Sequence, residues 1–206
     1  MKIGRGAGGL SSDGATGYSL VEILLVASLS LAVGAMALPA FNDVLDRVRC
    51  EQAARHLASL IRAVRTEAVQ RDTQVALVFV RDGSRWVHRR VADGNANGVR
   101  LAEVRSGTDV PVGPAGRVSD DFRGVELGVR EVVPDVDGEG VVSPGADPVR
   151  TGASDLVSCS PDGGCSSGTI YLSGRDGSTW AVRVLGLTGR VRLLTYRRPR
   201  QSWVEP

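Results

Sequence analysis

Hydrophobic and polar positions divide the N-terminal region into a polar leader and a long apolar run. Residues 1–17 form the leader, and from Ile23 to Phe41 nineteen consecutive residues carry no charge. A helix that rises 1.5 Å per residue over this length approaches the roughly 30 Å of bilayer hydrocarbon. The pattern therefore predicts a transmembrane helix segment over residues 18–41.

Beyond the apolar run, the pattern predicts an amphipathic helix over residues 42–72. Apolar residues recur there at helical spacing, with arginines between them. They are Phe41, Leu45, Val48, Ala53, Leu57, Leu60, Ile61, Val64 and Ala68. One helix from about Tyr18 to Arg71 would be about 80 Å long. We expect it to break or bend near Gly34 and Pro39, and we expect its second half to pack against a globular head.

After Asp72 the pattern changes to short segments that alternate like strands and are separated by Gly, Asp, Asn and Pro. Strands are predicted over 74–80, 85–91, 124–133, 169–172, 179–185 and 190–196. Residues 106–148 are rich in Gly, Pro and acids and predict long loops, and 197–206 predict a flexible tail. The fold class is therefore α+β, with a long N-terminal helix packed on a mainly antiparallel β-sheet or β-sandwich head over 73–196.

A glycine junction and a single carboxylate stand out in the N-terminal pattern. Gly17-Tyr18 lies before the apolar run, whereas a secretory signal peptide places its cleavage site after the run. Glu22 lies at the start of a segment that is otherwise uncharged up to Phe41. A carboxylate in hydrocarbon costs on the order of several kcal/mol unless it is paired or protonated, so Glu22 marks a functional position.

These residues resemble the cleavage signal of prepilins. A short polar leader ends at Gly17, Tyr18 follows as the new N-terminus, and Glu22 is the fifth residue of the mature chain. The resemblance implies that a prepilin peptidase cleaves after Gly17 and that the new amine is methylated. It also implies that Glu22 pairs with the N-terminal amine of a neighbouring subunit during filament assembly, and that Pro39 kinks the helix.

Two segments of the head narrow the resemblance to the GspH/FimT family. RWVHRRVADGNANGVRLAEV (85–104) resembles the strand, turn and following acid of these pseudopilins, and STWAVRVLGLTGRVRL (178–193) resembles their final hairpin. The resemblance implies a minor pseudopilin or minor pilin of a type II secretion pseudopilus or a type IV pilus. It would be anchored in the bacterial inner membrane with a periplasmic head. The implied partners are other pilins or pseudopilins, the prepilin peptidase and the inner-membrane assembly platform, and no cofactor is implied.

Charge adds a basic C-terminal region to this picture. The net charge of the chain is +2, but from Arg175 to Pro206 seven arginines stand against Asp176 and Glu205. If the last two predicted strands form a hairpin, alternation places Trp180, Val182, Val184, Val191 and Leu193 on one face and Arg183, Arg190 and Arg192 on the other. The apolar face is predicted to pack and the basic face to be free.

The basic face supports an alternative function in DNA uptake. Gly189-Arg190-Val191-Arg192 is similar to the G-R-x-R motif with which FimT-type minor pilins hold DNA. Arginines gathered on one face are either neutralised by acidic loops or kept for an anionic partner. If Arg183, Arg190 and Arg192 bind DNA, phosphate contacts predict an affinity that is independent of base sequence and sensitive to salt.

The three cysteines predict one disulfide. Cys159 and Cys165 bracket the short loop SPDGG, and an exported head would lie in an oxidising compartment. We therefore favour a structural bridge between them over a zinc site, because two thiols with no nearby histidine leave zinc short of ligands. Cys50, on the helix, is predicted to be a lone buried or interfacial thiol.

The segment DGNANG (93–98) raises the question of a metal. Asp93, Asn95 and Asn97 match the first half of a calcium loop, but the twelfth position is Val104 and the acid comes one place early, at Glu103. A turn stabilised by Asx hydrogen bonds explains the same residues. We favour the turn, and no metal site is predicted.

Candidate catalytic residues are few. The histidines are His56, among apolar neighbours on the predicted helix, and His88, on a predicted strand. No nucleophile elbow or phosphate loop accompanies them. Three hypotheses follow from the sequence: a structural filament subunit, a DNA-binding subunit and a membrane-anchored periplasmic enzyme. The enzyme ranks last because the head lacks a catalytic constellation, and we predict that the protein is not an enzyme.

Overall fold

The structure is a computed structural model that describes residues 18–138, 140–152 and 154–206; for 36–41 the description covers the backbone alone. The predicted leader 1–17, including Gly17, lies outside the described residues. So do the side chains of 36–41, including Pro39 at the predicted kink. The chain divides into two units at Phe41 and Asn42, which are described separately.

The element order begins with one long helix. Helix α1 spans Leu20–Arg71 and has 52 residues, so the helical assignment continues through Gly34. The short helices are α2 (Leu101–Ser106) and α3 (Val118–Asp121). The strands in chain order are β1 (Val75–Asp82), β2 (Arg85–Ala92), β3 (Val110–Pro111), β4 (Glu126–Leu127), β5 (Val133–Pro134), β6 (Val141–Val142), β7 (Val149–Arg150), β8 (Leu156–Cys159), β9 (Gly168–Ser173), β10 (Thr179–Leu185), β11 (Arg190–Arg197) and β12 (Ser202–Val204).

The strands of the head form two main antiparallel sheets. The first has the order β3-β2-β1-β8, and the second has the order β12-β11-β10-β9-β4, with β7 also paired to β9. A third, small sheet pairs β5 with β6. The predicted α+β fold, a long N-terminal helix with a mainly antiparallel β head, is confirmed.

One core joins the helix to both main sheets. The buried face of α1 carries Leu57, Ile61 and Val64, and small residues such as Ala54 and Ala58 let the strands approach closely. The same cluster contains Val75, Leu77 and Phe79 of β1 and Ile170, Leu172, Val182 and Val184 of β9 and β10. Each fully buried aliphatic side chain contributes about 1.5–3 kcal/mol. The amphipathic pattern of the helix is therefore explained by two sheets that share its apolar face.

Two parts of the predicted head differ in the structure. The prediction of a continuous strand over 124–133 is wrong. Only Glu126–Leu127 and Val133, the first residue of β5, are extended there. Gly124 and Gly128 adopt φ values of 88° and 127°, a conformation that interrupts a strand. The predicted flexible tail 197–206 instead contains β12, which pairs with the end of β11 so that Trp203 lies opposite Tyr196.

The outer face of the second sheet is covered by the segment that contains β5 and β6. Val129, Val133 and Val142 of this segment pack on three residues of the sheet, which are Tyr171, Ala181 and Leu194. Tyr171 is fully buried there. We call residues 129–142 the covering segment. It lies against the basic β10–β11 hairpin and therefore determines which groups contact that hairpin.

Candidate functional site

The first candidate site is the exposed apolar surface of α1 near its N-terminus. Ten large hydrophobic side chains between Tyr18 and Val33 are more than half exposed, from 56% at Val26 to 79% at Tyr18. They are Tyr18, Leu20, Val21, Ile23, Leu24, Leu25, Val26, Leu29, Leu31 and Val33. A contiguous apolar surface of this kind marks an interaction site, because its exposure to water is unfavourable.

Glu22 lies in the first turn of this helix and is exposed. The free amides at a helix N-terminus favour a negative charge at this place. Within the described part of the chain, no arginine lies within ion-pair distance of its carboxylate. Among the described residues the carboxylate has no ion-pair partner, and it lies next to exposed apolar side chains such as Val21 and Ile23.

Over residues 18–138, 140–152 and 154–206, no helix combines the length and the hydropathy that a membrane crossing requires.

The second candidate site is the β10–β11 hairpin. Its register places Arg183 opposite Arg192 and Leu185 opposite Arg190. Val182, Val184 and Val191, on the other face, are buried in the core that includes α1. The predicted division of the hairpin into a packed apolar face and a face with three arginines is confirmed.

The arginine face is not free, however, and this part of the prediction is wrong. The Arg183 Nε atom lies 2.8 Å from the Asp137 Oδ1 atom, and Arg183 Nη1 donates a hydrogen bond to the Val136 carbonyl at 3.2 Å. Arg192 forms an ion pair with Glu205, which follows β12, and this contact holds the pKa of Glu205 below its ordinary value. Acidic residues of this chain thus neutralise two of the three arginines.

The covering segment is held on the sheet by further polar contacts. The Tyr171 hydroxyl donates to Asp135 at 2.8 Å and accepts from the Val136 amide at 2.9 Å, and burial raises the pKa of this hydroxyl. Arg150 pairs with Asp135 at 2.8 Å, and the Trp203 indole donates to the Pro134 carbonyl at 2.8 Å. These contacts fix the covering segment on the sheet and place Asp137 beside Arg183.

Arg190 differs from the other two arginines. It is exposed, and in the described residues no carboxylate lies within ion-pair distance of it. Arg65 of α1 lies against the preceding turn, because a Cβ atom added to Gly189 would come 2.7 Å from Arg65 Nε. The Arg65 Nε–H donates to the Gly163 carbonyl at 2.8 Å. Arg65, which the sequence analysis did not select, thus adds a second cation near Arg190.

The cysteines occupy two separate environments. A disulfide joins Cys159, at the end of β8, to Cys165. Cys50 is fully buried on α1, and burial raises the pKa of its thiol to about 12. Such a thiol is protonated and unreactive near neutral pH.

The DGNANG loop is held by its own side chains. The Asp93 carboxylate accepts hydrogen bonds from the amides of Asn95 and Gly98, and the side-chain amides of Asn95 and Asn97 donate to Glu103. The bonds that Asp93 accepts from the two backbone amides are the Asx-type hydrogen bonds of the turn interpretation. In the parts of the chain that the structure describes, no three His, Cys, Asp or Glu side chains are grouped as metal ligands.

The two histidines lie near one another, with His88 buried and His56 partly exposed. His88 of β2 is 7% exposed, and its ring centroid lies 6.4 Å from that of His56 on α1. A Cβ atom on Gly116 would lie 2.7 Å from His88 Cε1, so the neighbouring backbone closes over the ring. These contacts are those of packed structural side chains.

Comparison with known proteins gives one family match. The profile of the family described as type II transport protein GspH matches residues 53–188. The matched stretch begins in the part of α1 that packs on the sheets and ends in the turn between β10 and β11. No curated protein and no solved structure matches the chain.

Proposed function

Because the chain belongs to the GspH family of type II transport proteins, we propose that it is a minor pseudopilin or minor pilin that joins or primes a filament. A prepilin peptidase cleaves it between Gly17 and Tyr18, and the new amine is methylated. The segment 18–41 anchors it in the bacterial inner membrane, with the head in the periplasm. Its partners are other pseudopilins or pilins and the inner-membrane assembly platform of a type II secretion or type IV pilus machine.

The observation that carries this proposal is the exposed apolar surface of α1 between Tyr18 and Val33. Burying one exposed aliphatic side chain is worth about 1.5–3 kcal/mol. Nine aliphatic side chains and Tyr18, each more than half exposed, supply on the order of 10 kcal/mol when lipid or neighbouring helices cover them. This surface suits a helix that passes from a membrane into a filament.

Glu22 gives the surface a specific contact. Once apolar groups surround it, the carboxylate costs on the order of several kcal/mol unless a cation pairs with it. The amine of a neighbouring subunit's mature N-terminus supplies that cation. A subunit therefore gains stability in the filament only at the register that brings its carboxylate to this amine.

The test co-expresses the full chain with a prepilin peptidase and sequences the N-terminus of the product. We expect the product to begin at Tyr18. Glu22→Gln is expected to be processed like the wild type but to enter filaments poorly, and Glu51→Gln, which alters an exposed ion pair with Arg55 on the same helix, serves as the control. An unprocessed chain, or normal filament entry of Glu22→Gln, contradicts the proposal.

DNA binding remains the second candidate because Arg190 is exposed and lies after the turn that Arg65 contacts. Two cations near the end of the hairpin suit phosphate contacts. The contribution of Arg183 is reduced by Asp137, and that of Arg192 by Glu205. The alternative function of DNA uptake therefore depends mainly on Arg190.

A further inference from the structure

The outer face of the first sheet is only partly covered. Leu77 and Phe79 of β1 face the core that contains α1, so alternation places Val78 and Val80 on the opposite face, paired with Arg89 and Val87 of β2. Helix α2 covers one end of this face, where Leu101 and Val104 pack near Val78. The remainder is open, and Val80 is 47% exposed.

The open part forms a cleft of about 760 Å³. Its apolar lining consists of Val78, Val80, Val87, Leu101, Val104 and Ala115; Phe79 also borders the cleft, but its side chain is buried in the core on the other face of the sheet. Its charged lining consists of Arg81, Arg89, Arg105, Arg117, Asp82, Asp120 and Asp155. A cleft with an aliphatic floor and a charged rim can bind a ligand that has both kinds of group.

Some charged groups on the rim have an ion-pair partner, and others have none within the described residues. Arg117 lies 2.6 Å from Asp82 and 3.7 Å from Asp120, so its charge is already paired with these two carboxylates. Arg89 and Arg105 are exposed, and neither has an ion pair within the described residues. Arg81 on the same rim is also exposed and has no ion pair within the described residues. The cleft therefore offers three guanidinium groups beside aliphatic side chains, which complement a carboxylate flanked by aliphatic groups.

The edge of β1 next to the cleft can take an extended backbone. Strand β8 pairs with β1 only from Val75 to Val78, and the Phe79 amide makes one further bond to the Asp155 carbonyl. Beyond that bond, Val80–Asp82 have no strand partner on this side among the residues that the structure describes. Exposed edges of this kind bind peptides by strand addition.

These observations favour a peptide over a nucleic acid. The edge of β1 beyond Phe79 offers backbone hydrogen bonds that an extended peptide can complete, and the aliphatic floor offers no stacking partner for bases. A second copy of this chain is also disfavoured, because its own acidic and aliphatic segment is engaged through the ion pairs of Asp135 with Arg150 and of Asp137 with Arg183.

We propose that this cleft binds an extended segment of a different pseudopilin, in which a carboxylate between aliphatic side chains pairs with Arg89 and Arg105. The identity of the partner rests on the proposed function, whereas the chemistry of the segment rests on the cleft. The contact would join the outer face of the first sheet to a neighbouring subunit.

The experiment titrates the full chain in detergent against a fluorescent peptide, Gly-Glu-Val-Glu-Val-Glu-Gly, and follows its anisotropy. We expect saturable binding that weakens at least about tenfold in Arg89→Glu/Arg105→Glu, because both cations are reversed. Arg62→Glu/Arg200→Glu makes the same change in net charge outside the cleft and is expected to bind normally. Val80→Ser tests the apolar floor and is expected to weaken binding several-fold.

Four results would overturn the inference. They are the absence of saturable binding, equal binding of the peptide with Lys in place of Glu, equal loss in the control variant, and displacement of the peptide by a DNA duplex. Analytical ultracentrifugation adds a fifth: self-association that Arg89→Glu/Arg105→Glu abolishes would make a second copy the occupant.

N-terminal sequencing of the same preparation separates this inference from the proposed function. Cleavage after Gly17 without peptide binding would remove the cleft inference and leave the filament role. Peptide binding by a chain that the prepilin peptidase does not cleave would remove the filament role and support the cleft as a peptide site.

Discussion

At the scale of single residues, Arg183 is the clearest case of a side chain whose role depends on its partner. Its charge, on a strand beside Arg192, suggested an anion-binding face. Asp137 neutralises it, and both side chains are about one-third exposed, at 30% and 31%. The ion pair therefore attaches the covering segment 129–142 to the sheet and makes Arg183 a poor ligand for phosphate.

We predict that Asp137→Asn releases the Arg183 charge at a small cost in stability. The pair is partly exposed, so its loss is expected to lower the free energy of unfolding by about 0.5–1 kcal/mol. If DNA binds the hairpin, this variant is expected to bind it more tightly than the wild type. Thermal unfolding and a DNA titration check both effects, and Glu51→Gln is a control that disturbs an ion pair on α1. Weaker DNA binding by Asp137→Asn would contradict the assignment.

His88 is predicted to make stability depend on pH. Burial, and then the neighbouring His56, lower its pKa below the ordinary value of 6.5, while Asp121 opposes the shift. The unfolded chain therefore takes up the proton more readily. The contribution of neutral His88 to stability is present above pH 6.5 and is lost as the pH falls through the lowered pKa of the folded state.

The variant His88→Gln removes this titration. We expect it to be less stable than the wild type at pH 7.5, because the packed ring is lost, but to lose less stability on going to pH 5.5. Thermal unfolding of the full chain in detergent at the two pH values measures the difference. Glu51→Gln, which alters an exposed ion pair on α1, is the control, and an unchanged pH dependence in His88→Gln would show that another group is responsible.

At the scale of elements, the C-terminal strand β12 gains its order from tertiary contacts. The Trp203 ring centroid lies 5.7 Å from that of Tyr171 and 5.4 Å from that of Tyr196. Its indole also donates to the Pro134 carbonyl on the covering segment. One side chain therefore connects the tail, the second sheet and β5.

We predict that Trp203→Ala lowers the free energy of unfolding by about 2–3 kcal/mol, since a half-buried aromatic side chain loses its packing. Trp203→Phe keeps most of that packing and is expected to cost about 1 kcal/mol for the lost hydrogen bond. Urea or thermal unfolding in detergent distinguishes the two variants. Equal, negligible effects of both would mean that the tail contributes nothing to the stability of the head.

At the scale of the whole molecule, the arginines that have no ion pair within the described residues lie on more than one surface. Arg190 lies at the start of β11, whereas Arg89 and Arg105 line the cleft on the first sheet. The two surfaces suit different ligands, because phosphates need only cations, while the cleft combines cations with an aliphatic floor. Separate variants can therefore test them independently.

We predict that any DNA binding by the full chain depends on Arg190 and falls steeply as salt is raised. Arg190→Gln is expected to weaken such binding several-fold, and Arg183→Gln is expected to change it little, because Asp137 already neutralises that charge. A fluorescence titration at several salt concentrations measures both. Equal weakening by the two variants would contradict the assignment, and no binding at low salt would leave filament assembly as the remaining function.

Local patterns in the sequence were sufficient for the main elements. Helical periodicity predicted the amphipathic part of α1, and alternation predicted β1, β2, β9, β10 and β11, because these elements repeat one pattern over several residues. Even the two faces of the β10–β11 hairpin follow from its own residues, since side chains alternate along a strand. Belonging to the GspH family was likewise predictable from motifs that are continuous in the chain.

Tertiary structure decided everything that depends on residues distant in sequence. Strands of two or three residues, such as β4 and β12, have no pattern of their own and exist because β9 and β11 offer an edge. The ion pair between Arg183 and Asp137 likewise depends on where the covering segment folds back. A sequence pattern can place an arginine on a face, but only the path of the whole chain determines which carboxylate reaches it.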